Sequence, residues 1–71
     1  MRDQLEKLVQ EMLDRGILYE DARREFERVF ISKALARSGG NLCKAADVLG
    51  LHRNTMTRKV TEYRIKRKGA A

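Results

Sequence analysis

The groups able to do chemistry are gathered in one short stretch, Arg53-Asn54-Thr55-Met56-Thr57-Arg58-Lys59. It carries three cations, an amide and two hydroxyls, and no carboxylate. Guanidinium, ammonium, amide and hydroxyl groups donate hydrogen bonds that suit phosphate oxygens and the acceptor edges of bases. On a helix, Met56, Val60 and Tyr63 fall at i, i+4 and i+7 and make one apolar stripe. Asn54, Thr57, Arg58 and Thr61 make the opposite stripe, with Arg53 beside it. The chemistry on offer is binding of a polyanion.

The flanking residues explain how such a helix is held. Asn41 is a good N-cap, because its side-chain oxygen can accept an orphan N–H of a first turn. A helix is expected over about 42–49, ended by Gly50, which supplies the positive φ of a sharp exit. Leu51 turns back to the core, and the polar helix starts near His52 or Arg53. Ala45 and Ala46 are small where two helices would cross closely. This arrangement fits a helix-turn-helix, whose second helix enters the DNA major groove. Two helices around a glycine turn also occur in domains that bind no DNA, so the placement of charge has to decide.

The net charge is +6. Residues 1–38 hold eight Lys/Arg and eight Asp/Glu, whereas residues 39–71 hold eight Lys/Arg against Asp47 and Glu62 alone. The whole excess therefore sits on the helix-turn-helix half and the tail behind it, as expected of a domain with a polyanionic partner. A solvated basic face without a ligand usually carries compensating acids, and here they are nearly absent.

Upstream, a first helix is expected over 1–14, with Leu5, Leu8, Val9, Met12 and Leu13 confined to an arc of roughly 140°. Arg15 in its last turn suits the helix dipole and Gly16 ends it. Ile17 and Leu18 form a short apolar connector expected to lock the two helices together. A longer helix follows, from about 19–21 to about 38, with Glu20 and Asp21 in its first turn and Arg37 in its last. Its apolar residues take two sides: Ala22, Phe26, Val29 and Phe30 share one, and Ile31 and Leu35 point the other way. A chain of 71 residues has too little protein to cover both sides. One side is expected to meet the helix-turn-helix and the other a second copy, with cover by helix 1 alone as the alternative. A homodimer interface is thus expected at Leu5, Leu8, Met12, Phe26, Val29 and Phe30.

The expected architecture is all-α, one domain over 1–71. Residues 1–38 would dimerise, 39–64 form the helix-turn-helix, and 65–71 a basic tail. In that tail Lys66, Arg67 and Lys68 either touch phosphate or are simply solvated.

At Gly40-Asn41, Lys44-Ala45-Ala46, Leu49-Gly50 and the stretch from Arg53 to Lys59 the chain resembles the Fis-type helix-turn-helix family of bacteria. That family covers the factor for inversion stimulation and the C-terminal DNA-binding domains of nitrogen-regulator-type enhancer-binding activators. The segment Arg24-Glu25-Phe26-Glu27-Arg28-Val29-Phe30-Ile31 looks like the family's dimerisation helix. The resemblance covers about residues 18–63. It implies a four-helix subunit, in which two N-terminal helices intertwine with those of a second copy and the last two read DNA. It also implies that Arg53 reads a guanine edge, that Asn41, Thr55, Arg58 and Lys59 hold phosphates, and that Lys44 lies near the same strand.

Some positions depart from the family pattern. His52 stands where the inversion factor has asparagine, and Cys43 replaces a common threonine or arginine. Thr61 and Glu62 replace lysines, which leaves the distal basic role to Lys66, Arg67 and Lys68. The inversion factor's β-hairpin arms have no counterpart, so recombinase stimulation is not expected. The initial methionine and the well-formed first helix favour a stand-alone regulator over a fragment of a larger activator.

His52, Asn54 and Thr57 join Arg53 as candidate base contacts. His52 has no Asp, Glu or Cys cluster at ligand spacing, so no metal and no cofactor are expected. Cys43 lies in the first turn of a helix, where the dipole can lower a thiol pKa, but a passive small residue is the simpler reading. A single cysteine excludes an intrachain disulfide and agrees with a reducing cytoplasm. The longest apolar runs are only a few residues, so no membrane partner is expected. No nucleophilic triad, phosphate-cradling glycine loop or paired-carboxylate pocket is present, and neither an enzyme nor a small-molecule substrate is indicated. The expected function is sequence-preferring binding of double-stranded DNA by a homodimer, as a bacterial transcription regulator or a nucleoid protein that bends DNA. A protein-interaction module and a general polyanion or RNA binder are the alternatives.

Overall fold

The computed structural model describes residues 1–65. Among them are four α-helices and no strand: α1 (Arg2–Asp14), α2 (Tyr19–Arg37), α3 (Leu42–Leu49) and α4 (Arg53–Glu62). The fold is all-α, as the periodicities require. Lys66, Arg67 and Lys68, the expected distal phosphate contacts, lie outside the described residues.

All four helices stop by one local device. After the last turn a residue enters the left-handed region, and the next N–H reaches back five positions. Those bonds are Ile17 to the Met12 carbonyl, Gly40 to Leu35, Leu51 to Ala46 and Ile65 to Val60, at 2.9–3.0 Å. Glycine supplies the positive φ in the first three, as at Gly50 (φ +70°), but α4 uses Arg64 at φ +52°. Arg15, expected in the last turn of α1, lies just past it as the C-cap residue, and that turn holds no basic residue.

The core is formed by α2, α3 and α4. Ile31, Ala34 and Leu35 of α2 are buried with Ala45 and Ala46 of α3 and Met56 and Val60 of α4. Leu42, Leu49, Leu51, Tyr63 and Ile65 pack around them. Ala45 is fully buried, and an alanine pair lets α3 lie close to both neighbours. Ile65 belongs to this packing as well as to the α4 ending, although its position in the sequence suggested the start of a tail.

No residue of α1 is buried. The connector is not buried between α1 and α2 within the subunit: Ile17 is 37% exposed, and Leu18, the extended N-cap residue of α2, 70%. A 13-residue helix is marginal in water without a packed face.

Candidate nucleic-acid interface

Burial of Met56 and Val60 fixes the rotation of α4 and turns Arg53, Asn54, Thr57, Arg58 and Thr61 to solvent. The turn before it is closed at both ends by side chains. Asn41 Oδ1 accepts the Lys44 N–H at 3.0 Å and caps α3. His52 Nδ1 accepts the Asn54 N–H at 3.0 Å and caps α4. The cap leaves the His52 ring edge at Nε2, and the Asn41 amide NH2, free to face a ligand. Thr57 donates its hydroxyl proton to the Arg53 carbonyl at 3.0 Å, which leaves its oxygen as an acceptor.

Arg53 and Arg58 have no ion-pair partner among the described residues, whereas Arg23, Arg24, Arg28 and Lys59 all do. The cations on the outward face of α4 are therefore uncompensated, whereas Arg23 and Arg28 of α2 are paired with acids of their own helix. Lys44 is exposed at the N-terminal turn of α3, and Thr55 is half-buried at the flank of α4.

Lys59, expected to hold phosphate, instead leans onto α2. Its Nζ donates to Glu27 Oε1 at 2.8 Å, and the Tyr63 hydroxyl donates to the same oxygen at 2.6 Å. Arg23 approaches the other carboxylate oxygen at 3.4 Å. The Arg24 guanidinium lies 5.5 Å from the Tyr63 ring centre and 3.5 Å from the Glu62 carboxylate. The Lys59 and Tyr63 hydrogen bonds hold the Glu27 carboxyl below the usual carboxylate range. The same bond to Glu27, helped by burial, pushes the Tyr63 phenol up. Sequence reasoning missed Glu27. Its visible signal was the local Arg23–Glu27 spacing, which says nothing of a partner 32 or 36 positions away.

A second surface is apolar. Leu5, Leu8 and Met12 of α1 and Phe26, Val29 and Phe30 of α2 line a cleft of about 930 Å³, which Val48 and Leu49 extend onto α3. The Phe26 and Phe30 rings pack on each other at 5.3 Å, yet each keeps about half its surface exposed. All six residues expected at a dimer interface thus lie around one cleft.

No described helix is long and apolar enough to cross a membrane. Among the described residues no group of His, Cys, Asp and Glu is placed to hold a metal.

The family profile described as "Bacterial regulatory protein, Fis family" matches residues 22–63, which leaves α1 outside the match. Two curated proteins are similar over much the same length. The "DNA-binding transcriptional regulator NtrC" of Azospirillum brasilense is 46% identical over 48 residues, 68% of this chain and 10% of that protein. The protein of the same description from Rhizobium meliloti (strain 1021) is 47% identical over 45 residues, 63% of this chain and 9% of that protein. The chain thus matches about a tenth of the length of these relatives. No solved structure matches it.

Proposed function

Because the chain belongs to the Fis family of bacterial regulatory proteins, we propose that it binds double-stranded DNA as a homodimer and prefers particular sites. The observation that carries this reading is the outward face of α4, where Arg53 and Arg58 stand without counter-ions beside Asn54 and Thr57. An exposed helix face that carries these donors and no acid before Glu62 is suited to a groove walled by phosphates. Arg53, at the first turn, is placed to fork onto guanine O6 and N7, with His52, Asn54 and Thr57 as the neighbouring base contacts. Asn41, Lys44, Thr55 and Arg58 are the phosphate set, with the amide N–H groups at the start of α3 assisting Asn41.

The apolar cleft supports the dimer. Its α1 wall has no buried residue in one subunit, and a second copy presents the same apolar residues in return. Two reading helices in so compact a dimer would lie closer than one turn of straight B-DNA, so the bound duplex is bent. The role is transcriptional regulation or DNA architecture, with binding and no catalysis.

Gel retardation over a salt series tests the reading. Duplex DNA should be shifted, with a steep loss of affinity as salt rises and a surplus for sites selected from random sequence. Equal or better binding of A-form RNA duplexes would favour the general polyanion reading. No retardation of any duplex would leave the protein-interaction reading.

A further inference from the structure

We propose that Glu27 is a positioning residue for DNA reading: its carboxylate holds Lys59 of α4 and the C-cap residue Tyr63 against α2 and so sets the pose of the reading helix on the dimerisation helix. The inference rests on the proposed function and assigns Lys59 to this tether rather than to phosphate.

Three observations carry it. First, Lys59 Nζ and the Tyr63 hydroxyl converge on one Glu27 oxygen at 2.8 and 2.6 Å, in a half-buried spot where side-chain hydrogen bonds are stronger than in open water. Second, Lys59 and the C-cap residue Tyr63 stand four positions apart at the end of α4, so the pair fixes rotation and tilt of that helix, which a single contact would not. Third, the charge on Lys59 is neutralised, unlike those on Arg53 and Arg58. Ile31 of α2 and Met56 and Val60 of α4 share one apolar cluster with α3, and apolar burial is non-directional. The charged hydrogen bond to Lys59 is directional. In a dimer built on α2, the angle between α2 and α4 also sets the separation of the two reading helices.

Two measurements test this on the whole chain. The first needs no DNA: NMR titration of the Glu27 side-chain carboxyl. It should titrate below ordinary glutamates in the wild type and move upward in Lys59→Met and in Tyr63→Phe. An ordinary value in the wild type would show that the tether is absent and overturn the proposal.

The second compares a preferred and a scrambled duplex over a salt series. Glu27→Ala and Lys59→Met should each reduce discrimination between the two by about fivefold or more. The salt slope should stay unchanged in Lys59→Met, and in Glu27→Ala it should steepen by about 0.9 per subunit as Lys59 is released. If Lys59→Met instead lowers the slope by that amount and keeps discrimination, Lys59 is a phosphate clamp and the proposal is wrong. Should Glu27→Ala lose its helicity, Tyr63→Phe, which removes one oxygen and keeps the ring, tests the same tether through its own loss of discrimination. A wild-type chain that retards no duplex would remove the proposed function and the positioning role together. The carboxyl titration would still decide whether the tether exists.

Discussion

Phe26 and Ile31 stand five positions apart on α2, about 140° around the helix, and their surroundings are opposite: Ile31 is 2% exposed and Phe26 53%. The Ile31 side carries the helix-turn-helix. The Phe26 side, with Val29 and Phe30, opens into the apolar cleft shared with α1. Replacing Phe26 or Val29 with aspartate should abolish both assembly and the helicity of α1, because it would place an unpaired charge in the interface. Ile31→Ala should cost about 2–5 kcal/mol of stability and leave the mass of the folded species unchanged. Analytical ultracentrifugation with circular dichroism checks both. A fully helical wild-type monomer in dilute solution would contradict the dimer.

Reading and holding should separate by mutation. Arg53→Ala is expected to cost about 1–3 kcal/mol at the preferred site and to flatten sequence preference. Arg58→Ala should weaken every duplex alike and reduce the salt slope by about 0.9 per subunit. The measurement is affinity on a preferred and a scrambled duplex at several salt concentrations. If Arg53→Ala loses affinity equally on both, Arg53 is a clamp and the reader lies among His52, Asn54 and Thr57.

Bending should be visible in the probe. Circularly permuted fragments carrying the site are expected to migrate differently, and A·T-rich centres to bind better although no side chain touches them. Uniform migration and indifference to the central sequence would mean straight DNA.

Stability should fall at both pH extremes through one cluster. The Glu27 pKa is lowered on folding by Lys59 and Tyr63, so its contribution is present above the unfolded carboxylate value and lost as pH falls through the folded one. The Tyr63 pKa is raised by Glu27, so its contribution is present below the ordinary phenol value near 10.0 and lost as pH rises through the raised one. Glu20, lowered by Arg23, adds little to the acid side because that pair lies at the surface and is screened by solvent. Denaturant midpoints measured across pH should show a flattened acid limb in Glu27→Gln and a flattened alkaline limb in Tyr63→Phe.

Arg64 sits in the left-handed region where the other three helix endings use glycine. A side chain there costs about 1–2 kcal/mol, and glycine recovers part of this against its greater freedom in the unfolded chain. Arg64→Gly should therefore raise stability by about 0.5–1 kcal/mol in thermal or denaturant unfolding. A loss of stability would mean that the Arg64 side chain makes a contact worth more than the strain.

The amino-acid sequence by itself determined the four helices, the stops of the first three and the chemistry of the outward face of α4. These depend on neighbours three to five positions away: the apolar spacing of Met56 and Val60, the Asn41 cap, and glycines at the positive-φ exits. The segregation of charge is likewise a property of the sequence, and the family resemblance lay in the same residues. The tertiary structure alone decided what each cation faces. Lys59 and Arg58 are adjacent and chemically alike, yet α4 is rolled by the burial of Met56 and Val60 so that one meets Glu27 and the other meets solvent. That roll depends on how α2, α3 and α4 cross. No local spacing encodes a pair formed across 32 positions.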